Sequence, residues 1–150
     1  MSEQNPIHIF VTHAFGPHEE YARVFEYLES RDNFFYANTS DPDAAARGDL
    51  EAMQEAIRNQ IKQAEAVLFP IGVYNDNPKL YDFELTVAQA FDKPVIAIKA
   101  FGDTLVVPAH VIDVAAETVE WNDREITDAI RRHGRGEDVN QWDVVDFDPD

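Results

Sequence analysis

Glu84 is the residue of this chain whose type and surroundings best suit chemistry. It lies in VLFPIGVYNDNPKLYDFELTVAQAFDKPVIAIK, residues 67–99, among Tyr81, Phe83, Leu85 and Val87. At helical spacing Tyr81, Glu84 and Ala88 share one stripe, and Leu80, Phe83, Val87 and Phe91 form the expected core stripe beside it. Glu84 therefore borders a buried face, where desolvation raises a carboxyl pKa. Taken alone the residue has a second reading. Glutamate is a good helix former, and an acid near a helix N-terminus complements the helix dipole from an exposed position.

The elements around Glu84 decide where it stands. The runs AVLFPIG and PVIAIK read as strands buried on both faces. The helix-length segment between them favours a parallel pair in an α/β sheet. The alternation continues along the chain. Ile7–Val11 is a strand, residues 17–30 a helix with Tyr21, Val24, Phe25 and Leu28 on its buried face, and residues 34–37 a short strand. Residues 38–48 read as a loop rich in Asn, Ser, Asp and Pro, and long loops in compact domains are often functional. Residues 49–64 form a helix with Leu50, Met53, Ile57 and Ile61 on one side. Residues 108–114 form a short helix opened by proline, residues 118–121 a strand, and residues 123–133 a last helix ended by Gly134.

Five strands alternating with five helices predict an α/β three-layer sandwich, flavodoxin-like, with a parallel sheet in the order 2-1-3-4-5. In that order the crevice opens at the C-terminal ends of strands one and three. The residues delivered there are Thr12, His13, Ala14 and Phe15 from the first loop, Asn38 to Ser40 from the second, and Gly72, Val73 and Tyr74 from the third. Glu84 and Tyr81 approach from the following helix. A carboxylate, aromatic walls and small polar groups suit a flat base or pyridine ring attached to a sugar.

Composition narrows the partners. The 150 residues fit one domain, and 10 Phe, 5 Tyr and 2 Trp point to a folded core. With 29 acids against 12 bases the net charge is −17, which opposes binding to nucleic acid or anionic membranes. Only four of the bases are lysines; the acidity fits adaptation to high salt or simply an acidic surface. No run approaches membrane-spanning length and MSEQNP carries no secretory signal, so the expected location is the cytoplasm. Without cysteine, thiolate catalysis and Cys-based zinc sites are excluded. The five histidines show no metal spacing, and none of the residues is assigned to a metal. There is no G-x-S-x-G, G-x-G-x-x-G or P-loop. A phosphoacceptor domain would need acids where Thr12, His13 and Gly72 stand, and THAFGPHEE does not supply a flavodoxin phosphate loop. Residues 134–150, GRGEDVNQWDVVDFDPD, form an acidic C-terminal extension to a domain spanning residues 1–133.

Five short blocks, in collinear order over roughly residues 7 to 132, carry a resemblance. IFVTHAF resembles a strand ending in Ser-His-Ser-Trp, and FFYANTSDP a block with Asn-Tyr-Ser. IRNQIKQAEAVLFPIGVY matches at Gly72 and Tyr74; YDFELTVAQAFDKPVIAI resembles an aromatic followed by Glu-Ile and Gly-Lys-Pro; VEWNDREITDAI matches a closing Trp-Asn and helix. Together they resemble TIR-like domains, and more narrowly the TIR-like family of the Thoeris antiphage defence system. Two departures stand out. Leu80 or Tyr81 replaces a tryptophan before the glutamate, and Ala100-Phe101-Gly102 replaces Pro-Trp-Gly after strand four.

The resemblance implies an enzyme that breaks the nicotinamide–ribose bond of NAD, with NAD as substrate and no other cofactor. Glu84 is implied as the catalytic residue, and Thr12, His13, Phe15, Asn38, Ser40, Gly72, Tyr74 and Tyr81 as substrate-binding. It further implies self-association and an ADP-ribose-derived, cyclic or conjugated signal that activates a partner effector protein. Arg47 and Lys79 are candidates for the pyrophosphate or simply solvated surface residues. Two other readings remain. Phe83-Glu84-Leu85 also fits nucleoside deoxyribosyltransferases and nucleotide N-glycosidases, and a non-catalytic TIR-like adaptor would work by assembly alone.

Overall fold

The strands Ala66–Pro70 (β3) and Val95–Ile98 (β4) are buried at every position, so both faces must be covered by other elements. The computed structural model, which describes residues 2–15, 18–43, 48–99 and 108–137, supplies the covering layers. In chain order β1 (Ile7–Val11) leads to α1 (Glu19–Glu29), β2 (Tyr36–Asn38) to α2 (Leu50–Lys62), and β3 to α3 (Pro78–Ala90). β4 leads to α4 (Ala109–Val114), and β5 (Glu117–Val119) to α5 (Asp123–Arg135). The sheet is five-stranded and all-parallel, in the order β2-β1-β3-β4-β5. The architecture is the α/β, flavodoxin-like sandwich expected from the sequence.

Alternation along the central strands divides the core in two. Val67, Phe69, Val95 and Ala97 pack with Ile57 and Ile61 of α2, Leu85 and Ala88 of α3 and Val111 of α4. Ala66, Leu68, Ile96 and Ile98 pack with Val24 and Leu28 of α1 and with Ile126, Ala129 and Ile130 of α5. Each of the Val, Leu, Ile and Phe side chains among these stabilises the fold by about 1.5–3 kcal/mol when wholly buried. Side chains before the helices fix where they start. His18, Asp49, Asn77 and Asn122 accept hydrogen bonds from Glu20, Ala52, Leu80 and Glu125 N–H groups, satisfying donors that a helix start leaves open.

Several boundaries differ from those expected. β2 ends at Asn38, not Ala37, and begins at Tyr36 because the register pairs Ile7 with Tyr36. β3 stops at Pro70, and Ile71–Asp76 turns into a 3-10 helix rather than extending the strand. β5 covers Glu117–Val119, and Trp121 belongs to the turn before α5. Gly134 does not end α5. The helix runs on to Arg135, and Gly136 caps it at φ 65°, the left-handed conformation that suits glycine. Gly134 is instead a packing position, since a Cβ there would stand 2.9 Å from the Ile7 side chain. The expected core stripe of α3 is also displaced. Tyr81, Glu84, Leu85, Val87 and Ala88 are buried, whereas Phe91 is exposed. Glu84 thus lies on the buried face and not at its border. Most of the C-terminal extension, residues 138–150, lies outside the described residues. No described helix is long and apolar enough to cross a membrane.

Candidate functional site

β1 and β3 are adjacent, and the Thr12 N–H donates to the Leu68 carbonyl at 3.0 Å, so the chain leaves both strands at one edge. α3 brings Glu84 under that edge with its side chain wholly buried. Its Oε1 accepts the His13 backbone N–H at 3.1 Å. Its Oε2 has no hydrogen-bond partner among the described residues. Burial holds the Glu84 carboxyl well above the usual range, against the opposing pull of the His13 N–H.

His13 is fixed in one tautomer. Its Nδ1 accepts the Phe15 N–H at 3.3 Å, so its Nε2 carries the hydrogen and donates to Gln60 Oε1 at 2.8 Å. Burial lowers its pKa, while Gln60 and Asp41 work in the other direction. The imidazole is therefore neutral near pH 7. What it offers Glu84 is the backbone N–H rather than the ring. Gln60 in turn accepts the Asp41 N–H at 2.9 Å and donates to the Asp41 carbonyl at 3.2 Å, which ties the second loop to the first. Phe15 pays for its place over the His13 ring with a φ of 59°, an outlying backbone for a bulky residue.

Asn38 and Ser40 join this set through Tyr21. The Tyr21 hydroxyl lies 2.8 Å from Ser40 Oγ and accepts from Asn38 Nδ2 at 3.3 Å, and the Tyr21 ring stands edge-on to His13. Asn38 Oδ1 also accepts both the N–H and the hydroxyl of Ser40. Tyr81 is buried on the same helix face as Glu84 and stacks on Phe69 at 6.0 Å between centroids. Burial first, and the Glu84 charge second, raise its pKa. Thr12, just after β1, is buried, and its Oγ1 has no hydrogen-bond partner among the described residues.

The other expected residues sit differently. Tyr74 turns its hydroxyl to Asp82, donating to both carboxylate oxygens at 3.1 Å, and its ring belongs to the core below α3 and α4. Gly72 lies against Glu20, where a Cβ would collide with the carboxylate. Lys79 is exposed in the first turn of α3. Arg47 and residues 100–102 lie outside the described residues.

Gln60, Tyr21 and Glu20 were not among the expected site residues. A signal for Gln60 existed: it follows Ile57 by three positions and so falls on the apolar face of α2, where it is buried. Tyr21 reads from its spacing as a core residue of α1, and its ring does pack against that core while its hydroxyl reaches Ser40. Glu20 carries no sequence signal, because an acid in a first helical turn is ordinary.

Among the described residues, the buried side-chain oxygens without hydrogen-bond partners are Thr12 Oγ1, Glu20 Oε1 and Glu84 Oε2. All belong to the loops and helices leaving β1 and β3. Buried polar atoms are nearly always paired, and leaving one unpaired costs about 1–3 kcal/mol. Two carboxyl oxygens and a hydroxyl at one edge would pair with a ligand rich in hydroxyl donors, as a sugar is. No three His, Cys, Asp or Glu side chains among the described residues are grouped so as to hold a metal ion. No protein-family model matches this chain, and no curated protein matches it either.

Proposed function

We propose that this chain is a TIR-like enzyme that cleaves the nicotinamide–ribose bond of NAD. The observation that carries the reading is the Glu84 carboxyl: sealed from solvent, anchored on one oxygen by the His13 N–H and, among the described residues, unpaired on the other. When nicotinamide leaves, the bonding electron pair stays on its nitrogen and positive charge develops on the ribose. A carboxylate fixed beside that charge in a water-poor site is worth more than one in solvent. The same logic governs glycoside hydrolysis.

Burial favours the protonated carboxyl in the empty site. NAD itself offsets this, since its pyridinium ring is cationic and favours the ionised form of a neighbouring acid. The open oxygen would then face the sugar hydroxyls as well as the developing charge. The His13 backbone holds the other oxygen, and the Tyr21–Asn38–Ser40 network adjoins the His13 ring. Water as acceptor gives ADP-ribose; an internal acceptor gives a cyclic product. The Thoeris-like blocks favour a cytoplasmic defence role in which an ADP-ribose-derived signal activates a partner effector and neighbouring subunits complete the pocket.

The triplet Phe83-Glu84-Leu85 supports a second reading, an N-glycosidic substrate such as a nucleoside. One experiment separates the readings. NAD and deoxynucleosides are incubated with wild-type protein and E84Q at low and molar salt, and products are identified by mass spectrometry. NAD loss with a new ADP-ribose species, abolished by E84Q, supports the proposal. Base exchange with NAD intact selects the transferase reading. Inertness toward both, with defence unaffected by E84Q, selects the adaptor.

A further inference from the structure

A second carboxyl shares this edge. Glu20 stands in the first turn of α1 and lies against Gly72 in the 3-10 turn that follows β3. Its Oε1 is buried without a partner among the described residues, like Oε2 of the wholly buried Glu84. Glu84 holds the His13 N–H of the loop after β1, Glu20 lies against Gly72 in the turn after β3, and the two strands are neighbours, so both acids belong to one edge of the sheet. The two differ in one respect. Glu84 is sealed, whereas Glu20 is only half-buried. A group that handles a proton on every turnover must return it to solvent, and Glu20 alone of the pair has that access.

We propose that Glu20 is the base of this site, taking the proton from the oxygen that attacks the ribose, while Glu84 faces the developing charge. This rests on the NAD-cleaving reading above. In the step, the bond from the anomeric carbon to nicotinamide nitrogen breaks and its electron pair leaves with the ring. The acceptor oxygen bonds to that carbon, and its proton passes to the Glu20 carboxylate and then to solvent. Burial raises the Glu20 pKa, with Asp76 and Glu19 acting in the same sense and His18 and Arg23 in the other. That moves the group toward the pH at which a base works.

The test measures NAD products by mass spectrometry for full-length wild type, E20Q, E20D and E84Q, across pH and with or without azide, a nucleophile that needs no deprotonation. The expected result is a loss of about 10²-fold or more in E20Q with oxygen acceptors. Azide should restore cleavage and yield the ADP-ribosyl azide. E20D should fall between, and the rise in wild-type rate as the acid ionises should be absent in E20Q. Gly72→Ala, which must displace the Glu20 carboxylate, should lose activity in the same azide-rescued way. Wild-type cleavage with E20Q equally fast, or E20Q slow with no azide adduct, overturns this inference and leaves Glu84 standing. Wild type that leaves NAD intact overturns both.

Discussion

Glu65 and Glu84 stand at opposite ends of the same parallel strands and meet opposite fates. Glu65, just before β3, accepts from Arg135 Nη2 at 2.8 Å and Nε, from the His8 N–H at 2.9 Å, and lies 3.2 Å from His8 Nδ1. Arg135 above all holds its carboxyl down at about 2. Among the described residues Glu84, beyond β3, has the His13 N–H alone, and it is held up. The partly exposed acid is fully satisfied, and the sealed acid is not. Partner inventory as well as depth thus separates a carboxyl that ties the fold from one that awaits a ligand. The tie is long-range: Arg135 also donates to the Pro6 carbonyl at 2.9 Å, fastening the end of α5 to the start of β1.

The largest expected effect breaks the comparison at Glu84. E84Q keeps the size of the side chain, removes the charge and should lower NAD cleavage by about 10³-fold in a product assay. A folded, fully active E84Q would place the function elsewhere. The next effect belongs to the other end. R135A leaves Glu65 half-paired, and calorimetric or denaturant unfolding should show a loss of about 1–3 kcal/mol, reduced by the partial exposure of both groups, with turnover unchanged.

Stability against pH should then show the two acids with opposite signs. Glu65 has a folded pKa of about 2 against an ordinary 4.5, so its contribution is complete above 4.5 and fades as pH falls toward 2. E65Q should flatten the stability curve in that acid window. Glu84 is raised above 4.5, so the folded state holds a proton that the unfolded chain releases, and stability declines as pH rises above 4.5. E84Q should remove that decline and gain on wild type as pH increases. Equal slopes for wild type and E84Q between pH 5 and 8 would mean that Glu84 is ionised without stress. The smallest effect is T12V. Replacing a buried, unpaired hydroxyl with a methyl should raise unfolding stability by up to about 1 kcal/mol while weakening substrate binding, read as an increase in KM.

Much of this architecture is legible in the chain. VLFP and VIAI announce strands covered on both faces, and the apolar stripes of α1 and α2 announce helices that cover them. The 2-1-3-4-5 order follows from right-handed crossovers and so delivers the loops after β1 and β3 to one edge. Glu84 stands out for the same reason, as an acid among rings on a helix that starts at that edge. The turn of α3 about its own axis was not legible. Stripes led by Leu80 and by Tyr81 are both apolar enough to face the sheet, and periodicity alone does not choose between them. Gly134 and Gly136 pose the same problem, since either could end α5; in the fold Gly136 caps the helix and Gly134 lies within it against Ile7.

By itself, then, the sequence determined the order and kind of the elements and the edge at which chemistry would gather, because local periodicity and chain connectivity are properties of neighbours along the chain. Tertiary structure alone decided which polar groups meet there. The His13 N–H on Glu84, Gln60 bridging His13 and Asp41, and Glu20 against Gly72 join residues far apart in the chain. Whether each carboxyl is satisfied depends on partners that only the packed fold brings within hydrogen-bonding distance.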